Sequence, residues 1–502
     1  MAFCHPAVIF NLLQDMKFEK FKSNLDSIAE YESAPVPPSR LKGWKSFLGM
    51  YAGEHTAGTE FVIGPLFVVH GVTAFDLVTG LLLGNLMAVL SWAFLCAPIA
   101  TGTRLTLYKK LEKICGRNLA RIYNLVNGVM FCFLAGSMIA VSATAVGIPF
   151  GIEMPGLGDW MPTSIGWILA VFGVGLVITV VAVLGYDQIA RFSNIAAPWM
   201  ILVFLGAGLA VLPELGVKSF GDFWQVANEK IWVGATAGDV SKFTFWHVMF
   251  FAWFANMAMH IGMSDMSILR YAKKWQHGFA SAAGVYLGHF FAWMAAGILY
   301  AVVLIQIVPQ GMTLAGYLPT IGSDQMPSVA PGPLATYAIG ISGAICVIVA
   351  GWTTANPTIY RAGLAIQAMM PRVKRWKVTL AVGLFTTVAA CFPALVMKLL
   401  DFVALYGLIL MPMGAVIFMD YHLFGKLGLA ADYAEKQQSN FNPAAALTWF
   451  ITLVAAVLLN IFMGVEIFFL GLPGWFLAAM LYVAFSKALQ KRETMQTGSA
   501  TV

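Results

Sequence analysis

A glutamate stands between glycines in the first apolar part of the chain. Glu54 lies in the stretch Gly53-Glu54-His55-Thr56-Ala57-Gly58, about ten residues into an apolar segment that runs from Trp44 to about Val69. A carboxylate near the middle of a bilayer costs a few kcal/mol or more and persists only where it faces protein or water. Glycines allow the helix to unwind, and unwound backbone at membrane depth lines a cavity. This pattern predicts a polar binding site at a broken helix.

Two later apolar segments also carry polar side chains near their middle. Asn256 and His260 interrupt one of them, and the paired Thr353 and Thr354 lie near the end of the other. Threonine hydroxyls and the free carbonyls of an unwound helix are hard oxygen ligands suited to a small cation such as Na⁺. Two alternatives stay open: both threonines bond back to their own helix, or His55 carries a proton beside Glu54.

Asp265 follows the segment that contains Asn256. We expect either an ion pair with Arg270 or Lys273, which would form an inner gate, or an ordinary solvated loop carboxylate.

The composition indicates which kind of secondary structure must position these residues. Of the 502 residues 59% are hydrophobic and only 11% are charged, whereas soluble proteins have about 25% charged residues. We therefore expect an all-α polytopic membrane protein. The six cysteines are scattered without a C-x-x-C pair, which predicts neither disulfides nor a metal centre. No nucleophile–base motif or H-E-x-x-H is present, so we expect no enzyme and no cofactor.

Apolar runs of about twenty residues predict about twelve transmembrane helices. They lie near 44–70, 73–98, 120–147, 164–185, 192–213, 243–265, 278–308, 334–357, 377–393, 395–419, 445–464 and 467–487. With a cytoplasmic N-terminus, all of the 30 Lys and Arg residues except Lys218, Lys230, Lys242 and Lys398 fall on the inner side, including the inner segment Arg361–Lys377. If residues 1–60 were cytosolic, the first helix would be lost and these basic residues would fall on the outer side. The preference of Lys and Arg for the cytoplasmic side therefore disfavours that interpretation.

These helices divide the chain into consecutive parts. If the first five form one half of an inverted repeat, the interrupted helix with Asn256 corresponds to the one with Glu54, and the site lies where the two meet. The predicted parts are a cytosolic tail (1–43), a first repeat (44–213), an outer loop (214–242), a second repeat (243–419), a cytosolic loop (420–444), helices eleven and twelve (445–487) and a cytosolic tail (488–502).

Four stretches resemble the nucleobase–cation symporter-1 family of cytosine, purine, hydantoin and thiamine permeases. They are AVLGYDQIARFSNIAAPWMILVFLGAGLAVL, GLLLGNLMAVLSWAFLCAPIATGTRLTL, DMSILRYAKK and GWTTANPTIYRAGLA. They occur in the family's order, and the likeness extends from about Trp44 to Tyr421. The third stretch has two extra residues between Asp265 and Arg270, and the family's usual Trp and Gln are missing from the third helix.

The resemblance implies a five-plus-five inverted repeat with discontinuous helices one and six and two additional helices, and symport with Na⁺ or H⁺. It places the Na⁺ site at Ala350, Thr353, Thr354 and the opposing carbonyls of the first helix near Ala52–His55. It places the substrate contacts at Glu54, His55, Thr56, Phe131, Phe133, Ser137, Phe254, Asn256 and Asn356.

These residue types suit a small planar nitrogen heterocycle, which aromatic faces stack on and amides or carboxylates orient. We therefore expect a symporter that imports such a solute by alternating access. An amino-acid, amine or other metabolite symporter is the alternative on this fold, and a channel is the alternative of another class. The expected surroundings are the bilayer of the cell membrane, with both termini cytoplasmic and with no nucleic acid or obligate protein partner. The net charge of +6 suits loops beside anionic lipid.

Overall fold

The computed structural model describes residues 23, 25, 26, 28, 30–156, 158–327, 330–397 and 399–499. The predictions for the two tails, 1–43 and 488–502, and for Lys398 therefore lie wholly or partly outside the described residues. Within these ranges the secondary structure is helical and contains no β-strand.

The helices that build the fold are numbered here in chain order. They are α1 (Lys45–Glu54), α2 (Glu60–Val69), α3 (Ala74–Thr103), α4 (Leu107–Cys115), α5 (Arg117–Val146), α6 (Ile165–Val183), α7 (Tyr186–Ala210), α8 (Phe245–Phe254), α9 (Met257–His260), α10 (Trp275–Ile305), α11 (Pro331–Ile339), α12 (Ile341–Met369), α13 (Arg375–Ala390), α14 (Leu399–His422), α15 (Pro443–Met463) and α16 (Ile467–Ser499). Shorter helices in the connections are Leu212–Leu215, Phe223–Val226, Met266–Leu269, Leu314–Tyr317, Pro393–Met397 and Tyr433–Lys436.

The prediction of a multi-pass membrane protein is confirmed. Among the described residues, eight helices are long and apolar enough to cross a bilayer: α3, α5, α6, α7, α10, α14, α15 and α16. The other predicted spans correspond to the broken pairs α1–α2 and α8–α9 and to the helices α12 and α13. The exact number of twelve stays a prediction.

Both predicted interruptions are present. α1 ends at Glu54 and α2 begins at Glu60, because the backbone leaves the helical region at His55 (φ −100°, ψ 2°). α8 ends at Phe254 and α9 begins at Met257, with Asn256 at φ −119° and ψ 21°. Discontinuous helices at membrane depth leave backbone groups free to line a site.

The packing of the helices follows an inverted repeat. α2 packs on α10 as α8 packs on α3, and α5 contacts α13 as α12 contacts α6. These are the equivalent pairs expected when α1–α7 and α8–α14 are related by a pseudo-two-fold axis. α5 and α12 lie against each other over much of their length, while α15 and α16 pack beside α14. The five-plus-five arrangement with two additional helices is therefore confirmed, and both breaks face the same central region.

Candidate functional site

A buried arginine joins the two breaks. Arg361, on α12, donates from Nη1 to Oε1 of Glu54, and from Nη2 to Oε2 of Glu54 (3.1 Å) and Oδ1 of Asp265 (2.6 Å). All three side chains are buried. The arginine thus joins the end of α1 to the segment that follows α9, and its charge is shared between two carboxylates.

Asp265 has two further donors. Its Oδ2 accepts from the Tyr51 hydroxyl (2.9 Å) and from the Trp92 indole (2.6 Å). Both expectations for Asp265 were therefore wrong, because it is neither solvated nor paired with Arg270 or Lys273. A buried carboxylate needs charge and donors around it. α12, α3 and α1 supply them through Arg361, Trp92 and Tyr51, whereas Lys273 is exposed.

Arg270 belongs to a separate polar cluster. Its guanidinium donates to the Tyr31 carbonyl (2.8 Å) and the Tyr360 hydroxyl (3.1 Å). The hydroxyls of Tyr271 and Tyr360 both donate to Oε2 of Glu30, each at 2.7 Å. This cluster holds the segment before α1 against the bundle at the end that the basic residues predict to be cytoplasmic.

The role of Arg361 was missed from the sequence. The distribution of basic residues placed it in an inner segment that ends at Lys377, but α12 continues to Met369 and buries Arg361 completely. A signal was available, since Arg361 lies seven residues after Thr354. That spacing of two helical turns puts both residues on one face of α12.

The two threonines of α12 lie directly against the break in the first span. Oγ1 of Thr354 donates to the Glu54 carbonyl at 2.8 Å, with the Ala350 carbonyl 3.2 Å away. Oγ1 of Thr353 donates to the Ala350 carbonyl at 3.0 Å. Three of the predicted ion-site groups are therefore adjacent, and the opposing carbonyl, which Thr354 reaches, belongs to Glu54.

The Ala52 carbonyl instead accepts hydrogen bonds from its own segment of the chain. It accepts the backbone N–H of Thr56 (3.1 Å) and the Thr56 hydroxyl (2.7 Å). A serine that the sequence did not single out lies nearby, since a Cβ on Gly53 would lie 3.1 Å from Cβ of Ser193 and 3.4 Å from Cβ of Thr353. The Ser193 hydroxyl is buried and has no hydrogen-bond partner among the described residues, so it is a further oxygen next to these threonines.

A cavity of about 120 Å³ lies between the two breaks. Predicted site residues in its wall are Glu54, Ser137, Phe254, Asn256 and Thr354. Residues in its wall that the sequence did not indicate include Glu60, His289, Trp293, Tyr406, Phe251 and Phe468. Larger depressions occur at the helix ends, and one of about 690 Å³ is lined by none of the predicted site residues.

The remaining predicted substrate contacts lie outside the wall of this cavity. Phe131 is buried with its ring centroid 5.3 Å from that of Tyr406. Phe133, two residues further along α5, is partly buried and packs against the apolar core. Asn356 is buried in α12, where its Oδ1 has no hydrogen-bond partner among the described residues. Thr56 is held by the Ala52 carbonyl as described above.

His55 faces α10 and not the cavity. Its Nδ1 lies 2.8 Å from the Tyr51 carbonyl, and its ring centroid lies 4.8 Å from that of His289. A Cβ on Gly284 would lie 2.7 Å from His55 Nδ1. α10 therefore requires glycine at this position to approach the break.

Glu60 is the second carboxylate of the cavity and begins α2. It is 3% exposed, and its Oε2 accepts from the Trp293 indole. Its nearest ionisable nitrogen is Nε2 of His289, 3.7 Å from Oε1. In the part of the chain that the structure describes, neither a lysine nor an arginine pairs with Glu60, which distinguishes it from Glu54.

Several solved transporter structures are similar to this chain over nearly its full length. Mhp1, a nucleobase–cation-symport-1 family transporter in a closed conformation with bromovinylhydantoin bound, is 14% identical, with a TM-score of 0.66 over 92% of this chain and 96% of that one. A substrate-bound, outward-open Na⁺-coupled sialic acid symporter is 16% identical, with a TM-score of 0.60 over 96% and 97%. MhsT in complex with L-phenylalanine is 13% identical, with a TM-score of 0.52 over 88% and 97%.

At these identities the likeness establishes the fold. The predicted resemblance to the nucleobase–cation symporter-1 family is confirmed at that level, since the chain has the fold of discontinuous-helix transporters that Mhp1 shares. No protein-family model and no curated protein gave a significant match to the sequence.

Proposed function

We propose that the protein is a cation-coupled symporter that imports a small planar nitrogen heterocycle by alternating access. The observation that carries the proposal is the contact between the Thr354 hydroxyl and the Glu54 carbonyl, 2.8 Å long, at the edge of the cavity between the breaks. An ion held there would touch α12 and the break of the first span together. Its binding would therefore be coupled to the conformation of both.

Na⁺ is our first choice of coupling ion. The Thr353 and Thr354 hydroxyls, the Ala350 and Glu54 carbonyls and the neighbouring Ser193 hydroxyl form a set of neutral oxygens, which suits a hard cation. Coupling to H⁺ through Glu54 or His55 is the second choice. Because Arg361 already compensates Glu54, this geometry favours Na⁺.

The cavity supports a small flat solute. Its volume of about 120 Å³ is below the range of about 300–1,000 Å³ for sites that hold drug-sized ligands. Phe254 offers an aromatic face, and Asn256 offers an amide that can donate or accept at the edge of a ring. Ser137 supplies an acceptor oxygen, because its hydroxyl proton is committed to the Leu134 carbonyl at 2.7 Å.

The test is uptake into proteoliposomes with the Na⁺ and pH gradients varied independently. We expect accumulation of unmodified substrate when Na⁺ is present outside, and its loss when an inert cation replaces Na⁺. Thr354→Ala should raise the Na⁺ concentration for half-maximal uptake about tenfold, which corresponds to about 1.4 kcal/mol of lost binding. Thr448→Ala is the matched control, since Thr448 is also buried and also bonds to its own helix, at Ala444, but lies on α15.

Uptake that is independent of Na⁺ and is abolished by a protonophore would reject the Na⁺ assignment and favour H⁺. Flux without accumulation or saturation would favour the channel.

A second candidate, an amine or amino-acid symporter, is favoured by the carboxylate of Glu60 in the cavity wall. The proposed location is the cell membrane, with both termini on the cytoplasmic side.

A further inference from the structure

We propose that the transported solute carries a positive charge on nitrogen, and that Glu60 and the aromatic rings of the cavity bind this charge. This inference rests on the proposed function, whose substrate class it makes more specific. Three observations support it: the balance of charges around the cavity, the neighbours of Glu60 and the aromatic side chains of the cavity wall.

The charges around the cavity do not cancel. Arg361 is the one basic side chain that pairs with Glu54 or Asp265 among the described residues, so two carboxylates share one guanidinium. Glu60 adds a carboxylate without a lysine or arginine partner. Isolated buried charges are costly, and such sites are completed by a partner charge or by neutralisation. A cationic solute would supply that partner at the moment of binding.

His289 does not supply the missing charge. The amide nitrogen of Asn256 lies 3.4 Å from Nδ1 of His289 and can only donate to it. Nδ1 therefore acts as the acceptor, and the proton of a neutral imidazole lies on Nε2, toward Glu60. The same ring stacks on Trp293 with a centroid distance of 4.5 Å and an angle of 11°. His289 thus orients the carboxylate and the indole as a neutral group.

The wall around Glu60 suits an organic cation better than a metal ion. Its aromatic side chains are Phe251, Phe254, Trp293, Tyr406 and Phe468. Aromatic faces attract ammonium and other cationic nitrogen groups, whereas Na⁺ prefers several oxygen ligands. Those oxygens lie at Thr353 and Thr354. The two sites would therefore hold two different cations, the coupling ion and the solute.

A matched pair of probes tests the inference directly. The cation 3-carbamoyl-1-methylpyridinium and the neutral 3-methylbenzamide share one skeleton and differ at the charged ring atom. Binding to the purified full-length protein is measured through tryptophan fluorescence, with Na⁺ present. We expect the wild type to prefer the cation by about tenfold or more.

Glu60→Gln should lower this preference to about one while the melting temperature of the protein is retained. Glu466→Gln is the control variant, because Glu466 is an exposed carboxylate that is not part of the cavity wall, and its preference should equal that of the wild type. Equal binding of both probes by the wild type would overturn the inference without any variant.

Two further results would also overturn it. If Glu60→Gln changes only the response of uptake to a pH gradient, Glu60 carries a coupling proton. If it changes only the Na⁺ requirement, Glu60 belongs to the ion site. The proposed function can fail separately from this inference. Preferential binding of the cation without gradient-driven accumulation would support this inference and reject the symporter. Na⁺-driven uptake of neutral heterocycles alone would support the symporter and reject this inference.

Discussion

Glu54 and Glu60 lie six residues apart at the two ends of one break, and both are buried in the wall of the same cavity. Glu54 closes α1 and forms a two-bond ion pair with Arg361. Glu60 opens α2 and has the Trp293 indole and His289 beside it, but neither a lysine nor an arginine within ion-pair distance among the described residues. Two carboxylates with the same chemistry and depth therefore have different electrostatic surroundings.

The difference separates a structural role from a binding role. The charge of Glu54 is used within the protein, where it connects the first break to α12 and, through Arg361, to Asp265. The charge of Glu60 is left for something that enters the cavity. Burial alone did not distinguish the two residues; their partners did.

The largest effect is expected on removing the shared partner. Arg361→Met leaves Glu54 and Asp265 buried without a counter-charge, which should destabilise the protein by about 3–5 kcal/mol. The measurement is the midpoint of thermal unfolding in detergent, with size-exclusion chromatography to detect aggregation. Adding Glu54→Gln and Asp265→Asn to Arg361→Met should recover most of the loss, because no charge then remains unpaired. An unchanged unfolding midpoint for Arg361→Met would contradict the ion pairs of Arg361 with Glu54 and Asp265.

The two glutamates should differ in stability when each is neutralised. Glu54→Gln loses hydrogen bonds to a charged donor and should cost about 1.5–3 kcal/mol. Glu60→Gln removes an uncompensated buried charge, so its unfolding midpoint should equal or exceed that of the wild type while uptake falls. The same thermal unfolding measurement applied to both variants decides the comparison. A greater loss for Glu60→Gln would reverse the roles assigned to them.

A smaller loss of stability than for Arg361→Met is expected at the periphery of the charged group. Tyr51→Phe removes one neutral donor to Asp265 and leaves Trp92 and Arg361 in place. The expected cost is about 1.5 kcal/mol, the lower end for a hydrogen bond to a charged group, because two donors to the carboxylate remain. Tyr286→Phe is a matched control, since that hydroxyl donates to the Leu82 carbonyl in an exposed setting and should change the unfolding midpoint less. Equal shifts for the two variants would show that the Tyr51 contact contributes nothing specific.

Local features of the chain predicted much of this architecture. Hydropathy indicated the spans, glycine and polar residues at Gly53–Gly58 and at Asn256 indicated the breaks, and Thr353 and Thr354 indicated the face of α12 that meets the first break. These predictions succeed because helix formation and membrane insertion depend on neighbouring residues. The distribution of basic residues gave a misleading result at Arg361, since counting charges near a helix end does not tell whether a side chain points into the bundle.

By itself, the sequence determined that this chain is a polytopic helical membrane protein with two interrupted helices and polar residues at their breaks. Only the tertiary structure decided which of those residues share a site. Arg361 meets Glu54 across 307 residues and Asp265 across 96, and Glu60 meets His289 and Trp293 on α10. Such partners depend on how distant helices pack, and a carboxylate acquires its role from the charge that packing places beside it, which no local pattern around Glu54 or Glu60 records.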